Sequence, residues 1–183
     1  MEQSSTAELD TGLELIRQSP ADAGPIELIV RRLETEVREA LDRAELAVGA
    51  GLVGDCWPTR ASSSTADDGP DPAKQVTLIS SRLIALLAGE PERWALAGDQ
   101  IYVDLDLSFA NLPAGTRLAL GTAVVDVTEA PHLGCAKFRR RFGADALRFV
   151  NSPSGRELRL RGVNTAVMSP GVVHRGDTIT RIT

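Results

Sequence analysis

Apolar positions recur along the chain in two periods. Residues 26–30, Ile-Glu-Leu-Ile-Val, alternate closely enough to predict a strand. Val37, Leu41, Ala44 and Val48 then fall three or four apart, the spacing of one helix face, and Gly49, Gly51 and Gly54 would end that helix. Residues 58–73 hold Pro, Ser, Asp and Gly with no apolar anchor, which predicts a mobile loop. A Val-Thr-Leu-Ile run at 76–79 reads as a strand, and 82–88 as a short helix stopped by Gly89. Residues 1–10 read as a frayed terminus.

The second half reads mostly as β. Strands are predicted at 101–104, 117–120, 122–128, 157–161, 164–168 and 177–182, with Gly and Pro between them. Residues 133–150 interrupt this with helical spacing: Leu133, Ala136, Phe138, Phe142, then Ala146, Leu147, Phe149 and Val150. Many short strands with regular turns argue for a barrel or sandwich, and closure into a barrel would remove exposed edges. The expected class is mainly β, a β-barrel with a few short helices, α+β overall. The expected organisation is an N-terminal extension over 1–25 and a single domain over 26–183.

Composition narrows the function. The chain has 183 residues, 43% hydrophobic and 25% charged, ordinary values for a globular protein. Its first residues lack the basic and apolar regions of a secretory signal. The longest apolar run, at 83–88, is too short to span a bilayer. Cys56 and Cys135 are the only two cysteines, too few for a disulfide framework. These features predict a cytoplasmic protein with no membrane role. Net charge is −5, yet residues 137–161 hold eight bases and two acids. One basic island in an acidic chain suggests a local anion site rather than the extended footprint that nucleic acid requires.

Several motifs fall in a fixed order. The first is Gly51-Leu52-Val53-Gly54-Asp55. Gly98-Asp99 leads into Val103-Asp104-Leu105-Asp106-Leu107-Ser108 and Asn111-Leu112-Pro113-Ala114-Gly115. Pro131-His132-Leu133-Gly134-Cys135-Ala136-Lys137-Phe138 precedes Arg141-Phe142-Gly143, and Arg161-Gly162-Val163, Pro170-Gly171-Val172 and Gly176-Asp177 follow. Together they cover about residues 50–181 and resemble the MOSC family, β-barrel domains named after the C-terminal part of molybdenum-cofactor sulfurases. The resemblance implies a MOSC-like barrel in which Cys135 carries sulfane sulfur or ligates molybdenum. It implies the molybdenum cofactor as ligand, and a cysteine desulfurase or molybdoenzyme as partner. One departure concerns cofactor handling: many members carry a His-Gly-Gly motif after the first Gly-Asp, where this chain reads Lys74-Gln75-Val76-Thr77-Leu78-Ile79.

The residues themselves leave two readings of Cys135. A free cysteine is often a small buried hydrophobe. Against that, Lys137, Arg139, Arg140 and Arg141 follow at once, and cations or a helix N-terminus favour a thiolate, the form that attacks sulfur and binds metal. His132 is either a base for that thiol or a capping or surface histidine. Lys137, Arg141, Arg148, Asn151, Arg159, Arg161 and Asn164 are candidates to contact an anion or pterin, the arginines through their planar fork. Cys56 reads as structural. Asp55, Asp99, Asp104 and Asp106 read as turn and strand-end groups rather than a metal site. Only Lys74 and Lys137 are lysines, neither in a Schiff-base context, so pyridoxal phosphate is not expected. Two functions stay open. One is sulfur transfer or molybdenum-dependent oxidoreduction through Cys135. The other is a non-catalytic module binding a small anion or a protein.

Overall fold

The computed structural model describes residues 6–62, 65, 66 and 68–182. The chain begins with helix α1 (Thr6–Arg17), where a frayed end was expected at 1–10; residues 1–5 lie outside the described ones. Strand β1 (Ala23–Glu34) then runs well beyond the expected 26–30. It turns back as β2 (Val37–Leu41), followed by β3 (Arg43–Ala47) and β4 (Gly51–Leu52). After the Ser/Pro-rich segment come β5 (Val76–Ser80), α2 (Ser81–Ala88) and β6 (Ile101–Val103). Next are β7 (Arg117–Leu120), β8 (Ala123–Val127), α3 (Ala136–Asn151) and α4 (Pro153–Glu157). The last strands are β9 (Val163–Ser169), β10 (Gly171–His174) and β11 (Thr178–Ile182).

Among the described residues, seven strands close into a ring in the order β1-β11-β7-β8-β9-β5-β6, β6 returning to β1. Neighbours run antiparallel except β5 and β6. The far half of β1 leaves the ring and pairs with β2 as a hairpin. A small second sheet joins β10, β3 and β4.

The apolar runs at β5 and β6 have a simple cause. Ring strands alternate their side chains inward and outward, and here both faces are covered. Ile29, Leu78, Ile101 and Val103 pack inside the barrel. Their neighbours Val30, Ile79 and Tyr102 pack outside, against Leu9 and Ile16 of α1, Leu83 and Leu87 of α2, and Phe138 and Phe142 of α3. The lumen is filled with side chains such as Leu118, Val125, Val167 and Ile179, so any ligand site lies outside it.

Two sequence expectations fail here. The helix expected from Val37, Leu41, Ala44 and Val48 is instead β2 and β3. Val37 and Val48 are exposed, whereas Ala44 and Leu46, two apart, are buried. Pairing with β1 and β10 satisfied the backbone and overrode the helical spacing. The strand expected at 157–161 is the end of α4 and a turn. Ser152 caps α4, accepting from Gly155 N–H, and Pro153 opens it. Arg159 then takes φ +47°, which no strand permits.

Candidate functional site

The loop between β8 and α3 carries the Cys135 motif, and two asparagines hold it. Asn151 accepts from Gly134 N–H at 3.0 Å and donates to the Gly134 carbonyl at 3.1 Å. Asn164, buried in β9, donates to the carbonyls of Ala130 and Pro131 at 3.1 and 3.3 Å. Both amides are thus engaged with backbone, and they fix where Cys135 stands. Cys135 caps α3 in an extended conformation (φ −124°, ψ 177°), and its thiol is exposed. It is not a buried hydrophobe. Gly143 then breaks α3 with φ 95° and ψ 174°. A short helix of about two turns therefore carries the first three arginines of the basic island.

Cys135 lines a cleft of about 510 Å³ between the β1–β2 hairpin and α3. Six cations face it: Arg32, Arg38, Arg60, Lys137, Arg141 and Arg161; the acids are Glu34 and Glu36. His132 and Cys56 also line it. The expected residues Cys135, His132, Lys137, Arg141 and Arg161 are therefore gathered in one place. Arg148 is not: it is exposed and pairs with Asp145 on its own helix. Arg159 lies over Phe109, 3.7 Å from the ring centre, and donates to the Leu112 carbonyl at 2.5 Å. It lines a neighbouring, more apolar cavity of about 270 Å³ that meets the cleft at His132, Leu133 and Arg161.

Behind the cleft wall lies a buried polar cluster. Asp99 is fully buried; its Oδ2 accepts from Arg161 Nη1 at 2.6 Å. Arg161 also donates to the Ala97 carbonyl at 3.2 Å and stacks 5.1 Å from the Phe138 ring centre. Asp99 Oδ1 and His132 Nδ1 stand 3.6 Å apart, and neither has a hydrogen-bond partner among the described residues. Burial pushes the His132 imidazole well below its ordinary range, and the charges of Arg161, Arg32 and Lys74 push the same way. The imidazole is therefore neutral at neutral pH. Burial pushes the Asp99 carboxyl up, against the pull of Arg161.

The first Gly-Asp motif explains the opposite wall. Asp55 is buried and accepts from the Arg32 backbone N–H, the Arg32 guanidinium and the Trp57 N–H, the closest at 2.7 Å. Buried charges need such pairing. This clamp fixes Arg32 and sets Cys56 on the rim. The second Gly-Asp places Gly98 beneath three guanidinium groups. Arg32 Nη1 donates to the Gly98 carbonyl at 3.3 Å. A Cβ on Gly98 would stand 3.3 Å from Arg141 Nη1 and 3.5 Å from Arg38 Nη2, and Gly98 takes φ +86°. Asp104 pairs with Arg82 at 2.7 Å, and Asp106 accepts from Ser108 N–H. Among the described residues no cluster of His, Cys, Asp and Glu could hold a metal ion.

Arg32, Arg38, Arg60, Cys56 and Asp99 were missed as site residues. Arg32 and Arg38 lie on a hairpin that the helical spacing of 37–48 disguised. Cys56 stood in plain view beside Gly54-Asp55, but its approach to the Cys135 cleft is a product of tertiary folding.

No family model and no curated protein sequence matches the chain. Solved structures do. The chain is similar to YuaD from Bacillus subtilis, at 19% identity and TM-score 0.65, over 86% of this chain and 94% of that one. It is similar to YiiM from Escherichia coli, at 17% identity and TM-score 0.56, over 88% of this chain and 70% of that one. YiiM from Geobacillus stearothermophilus matches at 14% identity and TM-score 0.53, over 89% and 74%. The likeness is one of fold: the chain has a MOSC-like barrel. No helix among the described residues is long and apolar enough to cross a membrane.

Proposed function

We propose that this protein handles sulfur or the molybdenum cofactor through Cys135. One observation carries the reading: an exposed thiol stands on the rim of a cleft faced by six cations. A cysteine in such surroundings is poised for attack on sulfur rather than for packing. As a carrier, Cys135 would take the outer sulfur of a donor persulfide, such as that of a cysteine desulfurase. The new S–S bond forms on Cys135 as the donor's S–S bond breaks, the donor leaves as a thiolate, and the Cys135 proton passes to it or to a nearby base. His132 lines the same cleft, but burial and the neighbouring cations hold it neutral and make it a poor acceptor for that proton.

The donor set also fits the cofactor. Cys135 is one soft ligand, suited to molybdenum, and the arginines suit the phosphate of its organic part. With no multidentate cluster among the described residues, the metal would arrive on that organic ligand. When bound, it would supply two-electron oxygen-atom or redox chemistry. Arg38, Arg141 and Lys137 would hold the anionic end, and Cys135 would face the metal.

The test is to measure molybdenum and cyanide-labile sulfur on wild type and Cys135→Ser purified from a cofactor-competent host. Stoichiometric labile sulfur lost in the variant indicates a carrier. Molybdenum lost in the variant indicates a cofactor-holding protein. Neither signal, even after incubation with a desulfurase and cysteine, overturns both and leaves a non-catalytic binding module.

A further inference from the structure

Arg38 is the anomaly of the cleft. Among the described residues it forms no salt bridge, its Nε is buried without a partner, and its one recorded bond is a long 3.4 Å contact from Nη1 to the Val37 carbonyl. Burial and the neighbouring Arg141 charge both push its guanidinium pKa down, the mark of cations crowded together. Beside it, Arg141 is held by the Leu96 carbonyl at 2.8 Å and by Glu36 at 2.6 Å; Arg140 reaches the same carboxylate at 3.5 Å. Both Arg38 and Arg141 approach the open face of Gly98, where any side chain would intrude.

Glu36 sits at the tip of the β1–β2 hairpin with φ +67°, a left-handed conformation unusual for glutamate. Its carboxylate reaches across to α3. Two guanidinium groups, those of Arg141 and Arg140, contact this one carboxylate, and Arg38 stands beside them without a counter-charge of its own among the described residues.

We infer that Arg38, Arg141 and the bare face of Gly98 form a seat for a phosphate-type dianion, and that Glu36 is its displaceable resident. The arginine forks match tetrahedral oxyanion geometry. An incoming phosphate monoester takes over the guanidinium contacts, and Glu36 swings out to solvent, where its side chain is already half exposed. The hairpin tip thereby reports occupancy of the seat. The inference rests on the reading that the cleft takes an anionic ligand, but it does not depend on Cys135.

The experiment is calorimetric titration with inorganic phosphate at low ionic strength and neutral pH. Wild type is compared with Glu36→Gln, Glu34→Gln, Arg38→Gln and Cys135→Ser. Removing an exposed ion-pair competitor should tighten phosphate binding in Glu36→Gln by roughly three- to fivefold. Glu34→Gln changes net charge equally and also lines the cleft, so its smaller effect separates displacement from general attraction. Arg38→Gln should weaken binding about tenfold or more, with thermal unfolding confirming its fold. Cys135→Ser should bind phosphate as wild type does, so failure of the sulfur or molybdenum reading leaves this result standing. Equal gains in the two glutamate variants, unchanged affinity in Glu36→Gln, or no phosphate binding by wild type and Glu36→Gln alike would each overturn the inference.

Discussion

His132 stands 3.6 Å from a carboxylate oxygen that it does not bond, inside the wall of the cleft. In the unfolded chain its imidazole titrates near about pH 6.5; in the fold it titrates well below that. As pH falls through about 6.5, the unfolded chain takes up a proton that the native chain refuses, so stability falls on the acid side until the folded pKa is reached. Asp99 acts with the opposite sign. Its raised pKa makes the native state hold a proton to higher pH than the unfolded chain, and this contribution grows as pH falls. His132→Gln removes the first contribution and should flatten the fall of melting temperature between about pH 7 and about pH 5. A variant whose profile parallels wild type would count against a buried, neutral imidazole. Asp55 is the other residue on which the site turns. Asp55→Ala leaves Arg32 buried without its counter-charge, a loss on the order of 3–5 kcal/mol. Urea unfolding should show it as a large drop in midpoint, and a shift below about 1 kcal/mol would show that water or another group replaces the carboxylate.

At the scale of elements, the site depends on a helix that stops and a hairpin that was hidden. Gly143 takes φ 95° and ψ 174°, a region almost closed to other residues. Its kink turns the Cys135-bearing segment relative to the rest of α3, whose Ala146 and Val150 stay in the outer core. Gly143→Ala should cost roughly 1–3 kcal/mol, read as a lower denaturant midpoint; an unchanged midpoint would mean that α3 tolerates being straight. The sequence made this helix legible through Phe138 and Phe142, which do face the core, and it marked α2 through its apolar run and Gly89. It could not reveal the hairpin. Val37, Leu41, Ala44 and Val48 have helical spacing by coincidence, and what decides the matter is the backbone pairing of Arg31 with Glu39 and of Ala44 with Val173. Val173 lies outside any local window. Arg32 and Arg38, two of the cleft's six cations, were lost with the hairpin.

For the whole molecule, many short strands with regular turns pointed to a barrel or sandwich, alternation is plain in β7 and β8, and the strands close as a barrel. The fully buried β5 and β6 are explained only by the helical layer outside them. The Cys135 motif pointed to one side of the cleft and to the family-like fold. It could not point to Cys56, Arg32 or Asp99, since segments far apart in the chain meet at the cleft only in the folded molecule. That closure places the seam between β1 and β11, pairing Ala23 with Thr180. During synthesis, β11, which completes the ring, emerges after every other strand of it. Until then β1 and β7 both present unpaired edges, and contacts so distant along the chain form slowly. The nascent chain therefore carries an open sheet until β11 has emerged, and only then can the ring shut.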